Sequence, residues 1–310
     1  MGGLNTIKAV SSYHQVLYCP RCKNALKEVD GEYFCQNCAH YYPIVDGIPS
    51  LVDQNMIADS FDAAAFEFLF EMEQRHFWHI GRKEIILDVL LRNIPSLAES
   101  KMLEIGCGNG SVLAYLKQHG IDIVGGDILL EGLELCRQRS GSAALYQTDI
   151  QSLPFRNEFD IIGIFDVLEH IDNDDKALSE INQALKPGGN LILTVPANKF
   201  LWSYFDIQSH HKRRYNKKEL MTKLERNGFT TKKISFFMFF LFPLFAAIRV
   251  TNNILHGQKD KKQNAKASLE VRTIPLVNDV FLGLLRLERR LIRYVDLPFG
   301  ASLLVLAERK

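Results

Sequence analysis

The sequence predicts a doubly wound α/β fold, in which a parallel sheet carries helices on both faces. Three observations predict it. Across residues 101–235, short apolar runs alternate with helical patterns, as parallel strands and their crossover helices do. The first apolar run, Lys101–Ile105, passes directly into Gly106-x-Gly108-x-Gly110 and then into an apolar helical stretch. Acidic residues stand at the ends of the later runs, where open α/β sheets collect their ligands.

The elements follow in order. Strand one is 101–105, and its glycines suit a turn that needs positive φ and close approach of a ligand to the backbone. The helix from about 110 to 118 then offers free N–H groups to an anion. A dinucleotide turn would want its third glycine at 111, which is Ser111. Strand two, 122–126, ends at Asp127, and a helix covers 129–139. Strand three, 143–148, ends at Asp149-Ile150; strand four, 159–165, runs into Asp166-Val-Leu-Glu-His170. A helix over 174–185 stops at Lys186-Pro-Gly-Gly189, and strand five is 190–195.

Glu104-x-Gly-x-Gly-x-Gly, Asp127, Asp149, the Asp166–His170 segment and Leu185-Lys-Pro-Gly-Gly189 together resemble the class I S-adenosylmethionine (SAM)-dependent methyltransferases of the ubiquinone and small-molecule type. The resemblance covers nearly 100 residues. It implies a seven-stranded sheet whose last two strands, here 230–236 and 301–308, form an antiparallel pair. It implies that Glu104, Gly106, Gly108, Gly110, Asp127, Ile128, Asp149, Ile150 and Asp166 hold SAM. In that reading Asp127 takes the ribose hydroxyls, Asp149 the adenine amino group, and Ile150 covers the ring. The competing reading of Asp127 and Asp149 is that they cap helices.

Methyl transfer from a sulfonium needs alignment, and a hydroxyl or amine acceptor also needs a base. Residues 198–215, after strand five, hold Trp202, Asp206, His210, His211, Arg213, Arg214 and Tyr215. Histidine is the natural base near neutral pH. His210 and His211 are the expected bases, with His170 as a second site. Arg213 and Arg214 are expected to clamp an anionic group, beside Tyr215 and Trp202 on the acceptor. A solvated basic turn ahead of a helix near Asn216 is the bland alternative.

Ahead of the sheet, Cys19-Pro-Arg-Cys22 and Cys35-Gln-Asn-Cys38 make C-x2-C-x12-C-x2-C. Four thiolates suit a structural zinc ion, with iron–sulfur as the competitor. Cysteines so paired point to a reducing compartment rather than a disulfide framework. Residues 15–53 resemble the small zinc-ribbon proteins that activate tRNA and translation-factor methyltransferases, here fused in cis, with a core expected to be separate from that of the sheet. The organisation expected is a ribbon over 1–55, a helical connector over 56–100 and a SAM-binding domain over 101–310. In the connector, 61–78 is expected to be helical, followed by a second helix to about Asn93. His76 and His79 are placed at the domain joint, with Arg82 and Trp78 as further cofactor candidates.

About sixty residues separate the last two strands, beyond common loop lengths. This insert, 236–298, opens within a charge-free run of 15 residues, Ile234–Ile248, short of the ~20 needed to span a bilayer. It suits an interfacial segment or the wall of a lipid cleft, with a buried helix as the alternative. Residues 257–266 are expected to form a mobile loop. Arg286, Arg289, Arg290 and Arg293 on a helix over 276–294 could meet an anionic lipid or a plain solvent face. No signal-peptide core is seen at the N-terminus, so the expectation is cytoplasmic, peripheral to the inner face of a membrane. The acceptor expected is a small molecule, glycosyl group or lipid, methylated on oxygen. An rRNA or tRNA base is the alternative. With 37 Lys+Arg against 36 Asp+Glu, net +1, nucleic acid is not favoured. A non-catalytic partner that docks through its ribbon is the reading from a different class; the ribbon's own protein partner is not legible.

Overall fold

The computed structural model describes residues 16–52, 70–141, 144–256 and 274–310. The expected loop at 257–266 and residues 61–69 of the first connector helix lie outside them.

The strands are β1 (Lys27–Val29), β2 (Glu32–Cys35), β3 (His40–Val45), β4 (Ile48–Leu51), β5 (Lys101–Ile105), β6 (Asp122–Asp127), β7 (Leu145–Thr148), β8 (Phe159–Phe165), β9 (Leu185–Pro196), β10 (Phe229–Phe237) and β11 (Ser302–Arg309). They form one sheet in the order β1-β2-β3-β4-β7-β6-β5-β8-β9-β11-β10. From β7 to β9 the neighbours are parallel, whereas β11 runs antiparallel between β9 and β10. This is the doubly wound sheet with an antiparallel end that the sequence predicts. The parallel strands are nearly continuous apolar runs because helices cover both faces; β8 is buried along almost its whole length.

The flanking helices are α1 (Phe77–Asn93), α2 (Ser111–Gln118), α3 (Leu130–Ser140), α4 (Asp174–Ala184), α5 (Tyr204–Gln208), α6 (Lys217–Arg226), α7 (Phe242–His256) and α8 (Pro275–Ile292). Helix α4 begins where Asn173 accepts a hydrogen bond from the Lys176 N–H, with Asp174 and Asp175 in its first turn, favourable against the helix dipole. The strand after it begins earlier than expected: β9 already includes Lys186-Pro-Gly-Gly189.

Two expectations need correction. The ribbon does not have a separate core. Its strand β4 pairs parallel with β7, Ser50 opposite Gln147 and Leu51 opposite Thr148, and Leu17, Cys19, Tyr42 and Ile48 join the same apolar cluster as the sheet. The edge of β7 was open to a parallel neighbour, and β4 satisfies it. The expected helix over 61–78 does not pass through His76: helical residues 70–75 end there, and α1 starts at Phe77 with His76 as its N-cap. The apolar run Ile234–Ile248 is split between β10 and α7. Among the described residues, no helix is long and apolar enough to cross a membrane.

Three of the four arginines on and just after α8 pair with acids of α1, while Arg290 is exposed. Arg286 and Arg289 pair with Glu84 at 2.7 and 3.0 Å, and Arg293 pairs with Asp88. Gly81 lets the two helices approach, since a Cβ there would lie 2.5 Å from Leu285. These three cations hold the insert on α1.

Candidate functional site

The carboxyl ends of β5, β6 and β8 meet at the glycine turn. The three glycines do different work. A Cβ on Gly106 would lie 2.3 Å from Val167, and one on Gly110 would lie 2.5 Å from the Cys136 sulfur. Both are positions where packing leaves no room for a side chain. Gly108, at φ 50°, has nothing within 4 Å of its missing Cβ and presents bare backbone to open space.

Around that opening stand four carboxylates. Glu104 is 2% exposed, and its Oε2 has no hydrogen-bond partner among the described residues. Burial, reinforced by the nearby Cys136 sulfur, pushes its carboxyl well above the usual range. A buried, unpartnered carboxylate oxygen is costly and wants a donor or cation. Asp127 Oδ2 accepts from the Gly108 N–H at 2.8 Å and Oδ1 from the Leu129 N–H at 3.0 Å, while Ile128 beside it is part-exposed. Asp149 caps the turn at Ile150–Ser152 through the Gln151 N–H at 2.8 Å, and Ile150 is buried. Capping and ligand contact are compatible, because each carboxylate oxygen keeps a second lone pair.

Asp166 is held differently. It sits at φ 57°, a left-handed conformation that non-glycine residues rarely adopt and that marks functional segments. Its carboxylate accepts from Thr194 Oγ1 at 2.9 Å and pairs with Arg82. The Arg82 guanidinium lies 4.4 Å over the Trp78 ring. The connector is thereby strapped across the site. Arg139 reinforces the strap, donating to Glu73 at 2.8 Å and to Asn109 of the turn at 2.9 Å. Lys83 reaches Ser111 at the start of α2. Nothing in the sequence pattern announced Arg139, which joins residues distant in the chain. His79 lies in this strap; burial holds its imidazole well below the ordinary value.

Beyond Asp166 lies a second cluster. Glu169 is fully buried with both oxygens unpartnered among the described residues. The His170 and His211 rings meet edge to face at 4.8 Å, and His211 Nε2 is 3.9 Å from Glu169 Oε1. His211 Nδ1 is 3.0 Å from Asp206 Oδ1. Burial alone would raise the Asp206 carboxyl, but the His211 hydrogen bond and the Arg214 guanidinium outweigh it and hold it at about 2. Burial, with His211 as neighbour, pushes His170 down to about 4. Glu169, His170 and His211 place one ligand atom each within 4.8 Å, a donor set that could also hold a cation.

The rest of the expected acceptor loop behaves otherwise. His210 is exposed, at φ 55°. Arg213 bonds Asp174 at 3.0 Å and the Asp172 carbonyl at 2.9 Å. Arg214 is buried, donating to Asp206 at 2.7 Å and the Ala197 carbonyl at 3.1 Å. Tyr215 is fully buried, donating to Asp174 at 2.8 Å. Arg214 and Tyr215 are thus buried in structural bonds, which corrects their expected exposure to an acceptor, while Arg213 stays part-exposed. Trp202 ends the short turn after β9, half-buried.

In the ribbon, one Sγ each from Cys19, Cys22, Cys35 and Cys38 lie within 4.8 Å of one another. The knuckle also touches the sheet's ligand loops. Ser152 Oγ donates to the Pro20 carbonyl at 2.7 Å, and the Tyr18 N–H to the Pro154 carbonyl at 2.9 Å. Ser50 donates to Gln147 at 2.6 Å, whose amide donates to the Ile128 carbonyl at 3.0 Å.

Residues 103–193 match the family described as methyltransferase domain. This stretch is a methyltransferase domain. Residues 13–47 match the family described as Trm112p-like protein. Malonyl-[acyl-carrier protein] O-methyltransferase of Enterobacter lignolyticus is 24% identical over 193 residues, covering 59% of this chain and 74% of the relative. Ubiquinone biosynthesis O-methyltransferase of Photorhabdus laumondii is 26% identical over 162 residues, covering 50% and 66%. A solved complex between the Haloferax volcanii Trm112 methyltransferase activator and a methyltransferase matches with TM-score 0.50 and 19% identity, over 80% of this chain and 93% of that one. Phosphoethanolamine N-methyltransferase 2 of Haemonchus contortus matches at TM-score 0.53 and 19% identity, over 84% and 62%. At these identities the structures establish the fold of the methyltransferase domain. The insert around α7 and α8 lies outside the matched 103–193.

Proposed function

We propose that the chain transfers a methyl group from SAM to an oxygen of a small, lipid-linked or glycosyl acceptor. The carrying observation is the open face of Gly108 beside the unpartnered Glu104 carboxylate, at the carboxyl edge of the sheet. Glu104, Gly108, Asp127, Ile128, Asp149, Ile150 and Asp166 would hold SAM, which supplies an electrophilic methyl on a sulfonium. The fit is chemical: a buried carboxyl with an unpartnered oxygen suits a cationic or hydrogen-bond-donating ligand, and a missing Cβ admits one close to the backbone.

His211 removes the acceptor's proton at Nε2. Its Nδ1–H is committed to Asp206, which fixes the tautomer and leaves Nε2 as the acceptor. Arg214 keeps Asp206 ionised and in place. The Arg82–Asp166 pair and the Trp78 ring close the site from the connector side and exclude water. Incubating labelled SAM and the protein with cell lipid, glycan, small-molecule and RNA fractions tests the acceptor class. Label is expected in a non-nucleic acid fraction; label confined to RNA overturns the reading.

The ribbon is proposed to hold one zinc ion through Cys19, Cys22, Cys35 and Cys38, the closed tetrathiolate set of a structural site. Because its knuckle bonds the loop after β7, the ion should support cofactor affinity as well as local folding. Elemental analysis should find one zinc per chain. Cys19→Ser should weaken SAM binding roughly tenfold or more, about 1.4 kcal/mol of coupling. Unchanged SAM affinity in a metal-free Cys19→Ser protein would show the ribbon to be independent.

A further inference from the structure

Glu169 is a fully buried acid, and neither of its carboxylate oxygens has a hydrogen-bond partner among the described residues. A carboxylate so placed is costly unless a donor or a cation meets it. Two imidazoles stand against it. Glu169, His170 and His211 each bring a ligand atom within 4.8 Å of the others, and His211 Nε2 is 3.9 Å from Glu169 Oε1. The two distant stretches of chain that carry them are tied together by backbone. The Lys212 N–H donates to the Glu169 carbonyl at 2.8 Å, and the Tyr215 hydroxyl donates to the Leu168 carbonyl at 3.2 Å. The three donors are therefore held as a set.

His211 also has the outer partner that a metal-bound imidazole ordinarily has. Its Nδ1 is 3.0 Å from Asp206 Oδ1, and Asp206 is itself held by Arg214 at 2.7 Å. That leaves the Nε2 lone pair on the side of Glu169. One carboxylate and two imidazoles suit a transition-metal ion of the zinc class, whereas magnesium and calcium take oxygen ligands. Bonds of about 2.0–2.2 Å to such an ion would draw the ligand atoms roughly 1 Å closer together, within reach of side-chain rotation. Three protein ligands also leave a position open on the ion. We propose that Glu169, His170 and His211 bind one divalent ion of the zinc class, separate from the ribbon's ion, and that binding withdraws His211 from proton transfer. The ion and the acceptor's proton compete for the same Nε2 lone pair. The binding half stands on the donor set alone; the withdrawal of His211 rests on the methyltransferase reading.

The test titrates cobalt(II) into the full chain with its ribbon zinc-loaded. One further equivalent should bind with visible d–d bands. The sulfur-to-cobalt charge-transfer band that entry into the ribbon would give should be missing. Glu169→Gln keeps the shape of the buried side chain, and His170→Phe keeps a ring against His211. Each removes a ligand and should lower cobalt affinity by at least the roughly 100-fold that loss of an outer partner can cost, with a thermal melt near that of the wild type. Zinc that displaces this cobalt should slow methyl transfer in proportion to occupancy. A chelator too weak to strip the ribbon should restore the rate. No cobalt uptake beyond the ribbon, or uptake that both variants leave intact, overturns the site. A rate that zinc at full occupancy leaves unchanged or raises overturns the withdrawal of His211. SAM titration of the same samples keeps the readings apart. A chain that takes cobalt but no SAM strikes the methyltransferase proposal, whereas one that takes SAM but no cobalt strikes this site alone.

Discussion

His211→Asn is expected to lower the rate of methyl transfer about 100- to 10,000-fold, the usual cost of removing a general base. SAM affinity should not change, because His211 touches Asp206, His170 and Glu169 rather than the glycine turn. The asparagine keeps a donor for Asp206, so the buried Asp206–Arg214 pair stays satisfied and the fold survives. Asp206→Asn is the poorer test, since it strips Arg214 of its charged partner at a buried position. His210→Ala is the control; its exposed side chain should leave the rate unaltered. Steady-state assays with an identified acceptor decide the matter, and a normal rate in His211→Asn would make the Asp206–His211 pair purely structural.

The second large effect is expected at Gly108. A valine there would place branched carbons over the open face of the turn, where the ligand must approach. It would also occupy φ 50°, costing about 1–2 kcal/mol for a residue with a Cβ. That cost is tolerable for a sheet this large, so the fold should persist. SAM binding should fall at least a hundredfold. Gly110→Val serves as the contrast, because its Cβ would strike Cys136 of α3 and should reduce stability before it reduces binding. Circular dichroism and thermal melts separate the two outcomes.

The order of the central strands was legible in the sequence because a parallel sheet buried on both faces writes itself as apolar runs punctuated by glycine and acid. The glycine turn, Asp127 and Asp149 stood where the pattern placed them. What lay hidden were choices of partner. Arg213, Arg214 and Tyr215 form a dense polar run, but Asp174, Asp206 and Ala197 claim them, and no local pattern reveals acceptors 8 to 41 residues away. Arg286 and Arg293 likewise meet Glu84 and Asp88 from across about 200 residues of chain. Adjacent histidines could not be ranked by type; a left-handed turn at His210 separates them, sending one to solvent and the other to Asp206. The pairing of β4 with β7 is a further case, since an edge strand's partner is set by which edge remains open.

Calorimetric titration of SAM into the wild-type chain tests the central claim most directly, with Gly108→Val and His211→Asn titrated alongside. One SAM per chain should bind the wild type and His211→Asn with equal affinity, and Gly108→Val should show no heat of binding at the same concentrations. A folded wild-type chain that takes up no SAM, or a Gly108→Val chain that binds it undiminished, would contradict the account.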